Sequence, residues 1–379
     1  MRWVEMLAAG LFTFQVTGSG VAVAFVLAAR SLPMLFLGGV SGVLCDAVDR
    51  KRILLWGMAI CAAAAAAVCL LASAGWVRPW HIAAAAFVSG CVWSTELSAR
   101  RRMIGECAGP ALVSRAVALD SLTSSFARIV GPMVGSLAFA AFGVAGAFGI
   151  SAGVYLLAVL LVPGIRHTQT TRPLLLSRVP REMAEGFAHA SRSPSMLTVL
   201  GVTATMNMFA FSYTAMVAPI ARQGFGMPDA LVGLLAAGEP LGALIGGLVL
   251  ARWTPRAPPR LLMLGGSAAF LAGLAVMPLM PAWGFACAVL VAGGLGLAVF
   301  GNMQTSLVLT AVPASIRSRQ MGLITVCIGV APLGQMLIGG LAELFGPLHA
   351  VIVSALIGLA ALAAIALRGG RAEPTAMEV

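Results

Sequence analysis

The chain has 379 residues, of which 60% are hydrophobic and only 10% charged, with 24 basic against 13 acidic side chains. A water-soluble domain of this length cannot hide so much apolar surface, so composition excludes a soluble enzyme or binding module and makes lipid the solvent for most of the chain. The net charge of +11 would suit nucleic acid in a soluble protein, but here the basic residues fall in short loops between apolar runs, where they read as topology signals; no nucleic-acid partner is expected.

In chain order, a short apolar run at about 3–16 is followed by eleven of membrane-spanning length, at about 20–45, 53–74, 81–99, 114–141, 145–164, 196–221, 231–251, 261–280, 284–308, 321–344 and 348–367. The loops at 46–52, 100–115, 165–195, 252–260 and 309–320, with the tail after 367, carry nineteen of the 24 basic residues. Arginine-rich loops stay on the cytoplasmic side. This predicts a multi-pass protein of the bacterial inner membrane with both termini cytoplasmic. The lipid bilayer is its first partner, and a monomer is expected. The long segment 165–195 divides the chain into an N-terminal bundle at 1–164 and a C-terminal bundle at 196–379. Within it, RVPREMAEGFAHASR reads as an amphipathic helix on the membrane surface.

The two halves repeat one plan. Pro110–Gly143 and Pro313–Gly346 both open on Pro-Ala, place a glycine at the same register (Gly131, Gly334) and close on Phe-Gly, at an offset of 313 − 110 = 203. Gly38, Gly42 and Arg52 pair more weakly with Gly242, Gly246 and Arg256 at an offset of 204. Parallel repeats of this kind build many secondary transporters, with the substrate path between them. On this register the first span lacks about two helical turns at 1.5 Å per residue, which predicts a truncated first helix.

Three features exclude catalysis and bound metal. The histidines (His81, His167, His189, His349) sit at span ends or in loops and do not converge with other titratable groups. The only lysine, Lys51, lies between Arg50 and Arg52, not in a phosphate-binding loop. The seven cysteines are scattered without a CxxC, and no His-rich segment accompanies them.

The stretch GVLCDAVDRKR, from Gly42 to Arg52, resembles the loop motif of the major facilitator superfamily, Gly-x-x-x-Asp-Arg-x-Gly-Arg-Lys/Arg. Gly42, Asp46, Arg50 and Lys51 match; Ala47 and Asp49 depart from the pattern. The resemblance implies a cytoplasmic gate in which this cluster latches the halves, the Asp46 carboxylate capping the facing helix near Met321. Gly131-Pro132-x-x-Gly135, preceded by Arg128, is similar to the core of the superfamily's antiporter motif, which kinks the fifth helix. Further stretches, TGSGVAVAFVLAARSLPMLFLGG and QTSLVLTAVPASIRSRQMG, resemble the drug/proton antiporter branch, which holds macrolide-efflux and siderophore-exporting members. The resemblance runs over almost the whole chain and implies an all-α membrane fold of two six-helix bundles. It also implies alternating access, a small-molecule substrate, and a proton gradient in place of any cofactor.

Ionisable residues inside spans are costly and therefore functional candidates. Glu5 and Arg30 lie at matching depths in the first two spans and form a credible buried pair. Glu239 has no charged neighbour in its own span and precedes Pro240, so it suits a proton carrier, because burial disfavours a carboxylate's charged form. Arg128 can approach it if spans five and eight meet, as the resemblance implies. Asp120 and Glu96 lie nearer the cytoplasmic ends, with Glu96 four residues before Arg100. If spans one, four, seven and ten line the cavity, its candidates are Phe14, Gln15, Trp93, Asn207, Phe211, Tyr213, Asn302 and Gln304, a lining suited to a bulky, partly apolar ligand. The leading reading is proton-coupled efflux of lipophilic or amphipathic drug-like compounds. The alternatives are siderophore export and a non-transporting membrane sensor or scaffold.

Overall fold

The computed structural model describes residues 1–165, 187–253, 256–311 and 317–370; at 38–47, 97–98, 101–102, 105, 110–111, 114, 309–311, 317–319 and 369–370 only the backbone is described. The described residues form helices joined by turns, with no strand among them, as lipid requires of a chain that must satisfy its own backbone.

Helix α1 (Arg2–Thr17) has 16 residues and ends at Gly18, whose φ of 64° lets its N–H return to the Phe14 carbonyl at 2.8 Å. The tight turn leads into α2 (Gly20–Ala47). Helix α3 (Arg50–Ser73) is capped by Asp49, whose carboxylate accepts from the Lys51 N–H at 2.8 Å. The residue that departs from the loop motif thus starts the next helix.

Helix α4 (Pro79–Leu161) has 83 residues, roughly 125 Å if straight, far more than a bilayer needs. It breaks at Gly109 (φ 68°, ψ 169°) and Gly143 (φ 64°, ψ −165°), giving three arms at 79–108, 110–142 and 144–161. The loop expected at 100–115 is therefore helical on both sides of one glycine. Arginine is a good helix former, and glycine alone takes the left-handed turn without strain.

The second half runs through α5 (Pro194–Gly224), α6 (Val232–Arg252), α7 (Pro259–Val276), α8 (Trp283–Ala311), α9 (Arg317–Ile328), α10 (Ala331–Phe345) and α11 (Pro347–Gly370). Helix α5 is irregular, passing through π turns at Met206–Ala210 and Ile220–Gly224 and a 3₁₀ turn at Phe211–Met216. Such departures re-aim side chains and cluster at functional sites. Among the described residues nine stretches are long and apolar enough to cross a membrane. The stretch 115–164 holds two arms of α4, and α9 with α10 forms one crossing. Counted with α1 and the first arm of α4, the described residues make twelve helical passes, six before residue 166 and six after residue 186. Of the expected amphipathic segment, 187–190 is helical and 191–192 a turn; residues 178–186 lie outside the described residues.

The sequence repeat is a repeat of packing. Gly143 and Gly346, 203 positions apart, both end their helices with positive φ, 64° and 81°. A Cβ on Gly131 would lie 2.6 Å from Trp3 Cβ, and one on the repeat-related Gly334 would lie 2.1 Å from the Met208 carbonyl oxygen. In each half a glycine lets the fifth crossing press against the first.

The halves meet along α2 against α10 and along the second arm of α4 against α6. Three glycines permit that contact. A Cβ on Gly339 would lie 2.6 Å from Ala24 Cβ, one on Gly20 would lie 3.1 Å from Ala342 Cβ, and one on Gly233 would lie 2.5 Å from the Pro132 oxygen. Ser136 Oγ donates to the Ala230 carbonyl at 3.1 Å and Ser19 Oγ to Glu343 at 3.3 Å. These contacts lie toward the end away from the basic loops. There Arg222 also forks onto Asp229 with bonds of 2.7 and 2.6 Å, bracing the α5–α6 turn.

The exposed Cys107 sits at the opposite end, beside the Gly109 break; among the other cysteines with described side chains Cys61 is buried and the rest are half-buried. If the basic loops face the cytoplasm, a variant retaining only Cys107 reacts with a membrane-impermeant maleimide in inside-out vesicles and stays unlabelled in intact cells. Labelling in intact cells would reverse the orientation.

Candidate functional site

Between the halves lies a cavity of about 240 Å³, walled by α1, α2, the first two arms of α4, α5, α6, α9 and α10. On α1 the lining residues Trp3, Met6, Leu7 and Gly10 recur at intervals of three and four, one stripe of the helix. The cavity's core-facing side is fixed by aromatic packing, with Phe211 and Tyr213 each 6.1 Å from Phe270.

An ion pair among the described residues spans the boundary between halves. Arg128 Nη2, on the second arm of α4, donates to Glu239 Oε1, on α6, at 2.6 Å. The Glu239 side chain is 4% exposed and that of Arg128 33%, so the carboxylate is withdrawn while the guanidinium reaches into the cavity. The fully buried Tyr213 hydroxyl also interacts with this carboxylate. Pro240, inside α6, brings no N–H to the carbonyl four residues back; that residue, Ala236, also lines the cavity.

A second pair lies within the N-terminal half. Arg30 Nη1 stands 3.5 Å from Glu5 Oε2, both side chains buried. Arg30 lines the central cavity, whereas Glu5 faces a small pocket beside Ser89 and Phe148. Beyond it the Arg2 guanidinium lies 4.0 Å over the Trp93 ring and 5.2 Å from Trp3, and Arg128 lies 5.5 Å from Trp3 on its own account. Arg2 and Trp3 are cavity residues that the sequence pattern did not single out; the three-and-four stripe on α1 was the available signal.

The structure places Trp93, Asn207, Phe211 and Tyr213 on the cavity wall, and it corrects four other positions. Phe14 follows Gly10 on the α1 stripe but is buried in the core, because the halves have already closed at that depth. Gln15 is exposed at the α1–α2 turn. On α8, Asn302 donates to the Ala298 carbonyl at 2.8 Å and Gln304 to the Thr203 hydroxyl on α5. No α8 residue lines the cavity among those described; its tenth-span place is taken by α9 and α10 through Ile328, Ala331 and Gln335.

Asp120 bonds Arg100, which also approaches Glu96 at 3.9 Å. This ties the first two arms of α4 together away from the central cavity. Arg50 bonds Glu106, and Lys51 Nζ donates to the Pro163 carbonyl at 2.7 Å. These two bonds stay within the N-terminal half and brace that bundle at its basic loop. The side chain of Asp46 and the surroundings of Gly42 lie outside the described residues. At Gly131-Pro132 the helix keeps helical φ/ψ, and the breaks fall at Gly109 and Gly143. Gly131 and Gly135 serve close packing: a Cβ on Gly135 would lie 2.8 Å from the Val4 carbonyl oxygen.

The sequence profile of the transmembrane secretion effectors, a family of the major facilitator superfamily, matches residues 2–376. The chain belongs to this family. It is 29% identical over 327 residues, 83% of its length and 75% of theirs, to proteins named enterobactin exporter EntS from Shigella boydii serotype 18 and Escherichia coli O139:H28. Its fold is similar to that of a bacterial homologue of the human lysosomal transporter Spinster in an inward-facing, occupied conformation, with a TM-score of 0.74 at 14% identity over 98% of this chain and 95% of that one. The nucleoside transporter NupG is also similar, with a TM-score of 0.66 at 14% identity over 98% of each chain. The family and fold make the chain a transporter and not an enzyme.

Proposed function

We propose that this secretion effector exports bulky amphipathic small molecules by alternating access, driven by protons entering through Glu239. The observation that carries this reading is the Arg128–Glu239 bond across the cavity wall. It is the charged tie between the two surfaces that would have to separate when the halves rock. Protonating Glu239 removes the charge that holds Arg128 and loosens the contact between the second arm of α4 and α6. Bound substrate near Arg128 competes for the same guanidinium, so proton and substrate are exchanged through one residue. The cytoplasmic placement of both termini and of the basic loops belongs to this proposal, as does function as a monomer.

Siderophore export is the second reading, favoured by the relatives named as enterobactin exporters. Efflux from a host lacking its own pumps, measured across dyes, macrolides and siderophores, separates the two. Export of dyes and macrolides supports the broad reading, export of siderophores alone supports the second, and movement of none contradicts both.

A further inference from the structure

We propose that the compound carried is an anion on a flat aromatic ring, a carboxylate or sulfonate, and that Arg2, Trp3, Trp93 and Arg30 form its recognition site. The inference rests on the exporter reading and narrows it. A second cavity, about 480 Å³, lies within the N-terminal half, and Arg2, Trp3, Arg30, Trp93 and Arg128 line both it and the central one. These five residues are the partition between two spaces, so a ligand in either meets them.

Their charge state is lopsided. The carboxylates facing the two cavities are Glu239, bonded to Arg128, and Glu96, 3.9 Å from Arg100. Arg30 is held at 3.5 Å by Glu5, and Arg100 is also bonded to Asp120. Arg2 makes no salt bridge among the described residues; its guanidinium lies over the Trp93 ring instead. A guanidinium stacked this way uses its face and leaves its in-plane N–H fork open for an oxyanion. Two further donors are orphaned on the same wall: Arg30 Nε and Arg128 Nε are buried without a partner. Buried donors left unmet are costly; closed to solvent as they stand, these two leave the Arg2 fork as the group open to a ligand. A cationic ligand would face Arg2, Arg30 and Arg128 with no free carboxylate among the described residues of the central cavity. An uncharged one would leave the Arg2 charge unbalanced. The indoles of Trp3 and Trp93 supply flat surfaces for the ring.

The test uses purified full-length protein in nanodiscs and three dansyl probes alike except for a terminal carboxylate, amide or quaternary ammonium. Binding is read by energy transfer from tryptophan. The carboxylate probe is expected to bind at least tenfold more tightly than the amide, and the ammonium probe most weakly. Arg2→Gln is expected to remove the carboxylate probe's preference over the amide, measured as the ratio of their affinities in that variant, and Arg2→Lys to retain part of it. Equal or tighter binding of the amide or ammonium probe by the unaltered protein overturns the proposal and needs no variant to fold. An unchanged carboxylate preference in Arg2→Gln overturns the assignment of Arg2. The exporter reading fails separately, when the carboxylate probe binds as expected but a pH gradient does not move it in proteoliposomes. Preferred transport of the cationic probe leaves an exporter and removes this site.

Discussion

Replacing Glu239 by Gln is expected to reduce pH-gradient-driven efflux to the level of vesicles without the protein, while substrate binding and expression are retained. Glutamine keeps the shape and one acceptor of the carboxyl but cannot carry a proton or hold Arg128 by charge. The Glu239 side chain is 4% exposed and bonded to Arg128 at 2.6 Å, so the substitution acts on the tie between halves and not on a solvated surface. An exchange driven only by a substrate gradient should survive, because it does not require net proton movement. Glu239→Asp, one methylene shorter, should restore part of the pH-driven activity. Unchanged pH-driven efflux in Glu239→Gln would remove this residue from the coupling mechanism.

The second large effect is structural. A Cβ on Gly242 would lie 2.0 Å from the Val291 carbonyl oxygen, backbone that cannot be displaced without separating α6 from α8. Gly294 answers from the other side, where a Cβ would lie 2.3 Å from the Glu239 carbonyl oxygen. Small residues allow membrane helices to approach this closely, and packing at such crossings drives their association. Gly242→Val should therefore cost more than the 1–3 kcal/mol typical of about one extra methylene group in a packed core, and yield aggregated or degraded protein. Gly247 lies five residues on in the same helix, and a Cβ there would meet nothing within 4 Å. Gly247→Val should behave as the parent in size-exclusion profile and melting temperature. Equal behaviour of the two variants would contradict the crossing geometry.

The membrane class, the helical runs and the division into repeats were legible because lipid permits few solutions: apolar length sets spans, arginine-rich loops mark one end, and glycine recurs where helices touch. Gly131 and Gly334 show the limit of that legibility. Their shared register is visible in sequence, but their partners, Trp3 and Met208, belong to other helices and emerge only from the packing. The Glu5–Arg30 and Arg128–Glu239 contacts could be anticipated because so few charges lie within the spans that each has few possible partners. The cavity wall was less legible. Asn302 and Gln304 read as polar lining, yet both are spent on bonds within their own half. Phe14 keeps the lining stripe of α1 but lies where the halves have closed, a matter of depth that periodicity does not encode. Arg50 and Lys51 match a gate motif, and that they also bond Glu106 and the Pro163 carbonyl depends on where α4 turns and ends, which periodicity does not encode.

Proton flux from purified protein reconstituted in liposomes tests the central claim most directly, with a pH-sensitive dye trapped inside and an exported compound added on one side. Compound-dependent proton movement in the opposite direction is expected, disappearing in Glu239→Gln while the compound still binds. Compound crossing the membrane with no accompanying proton movement would contradict it.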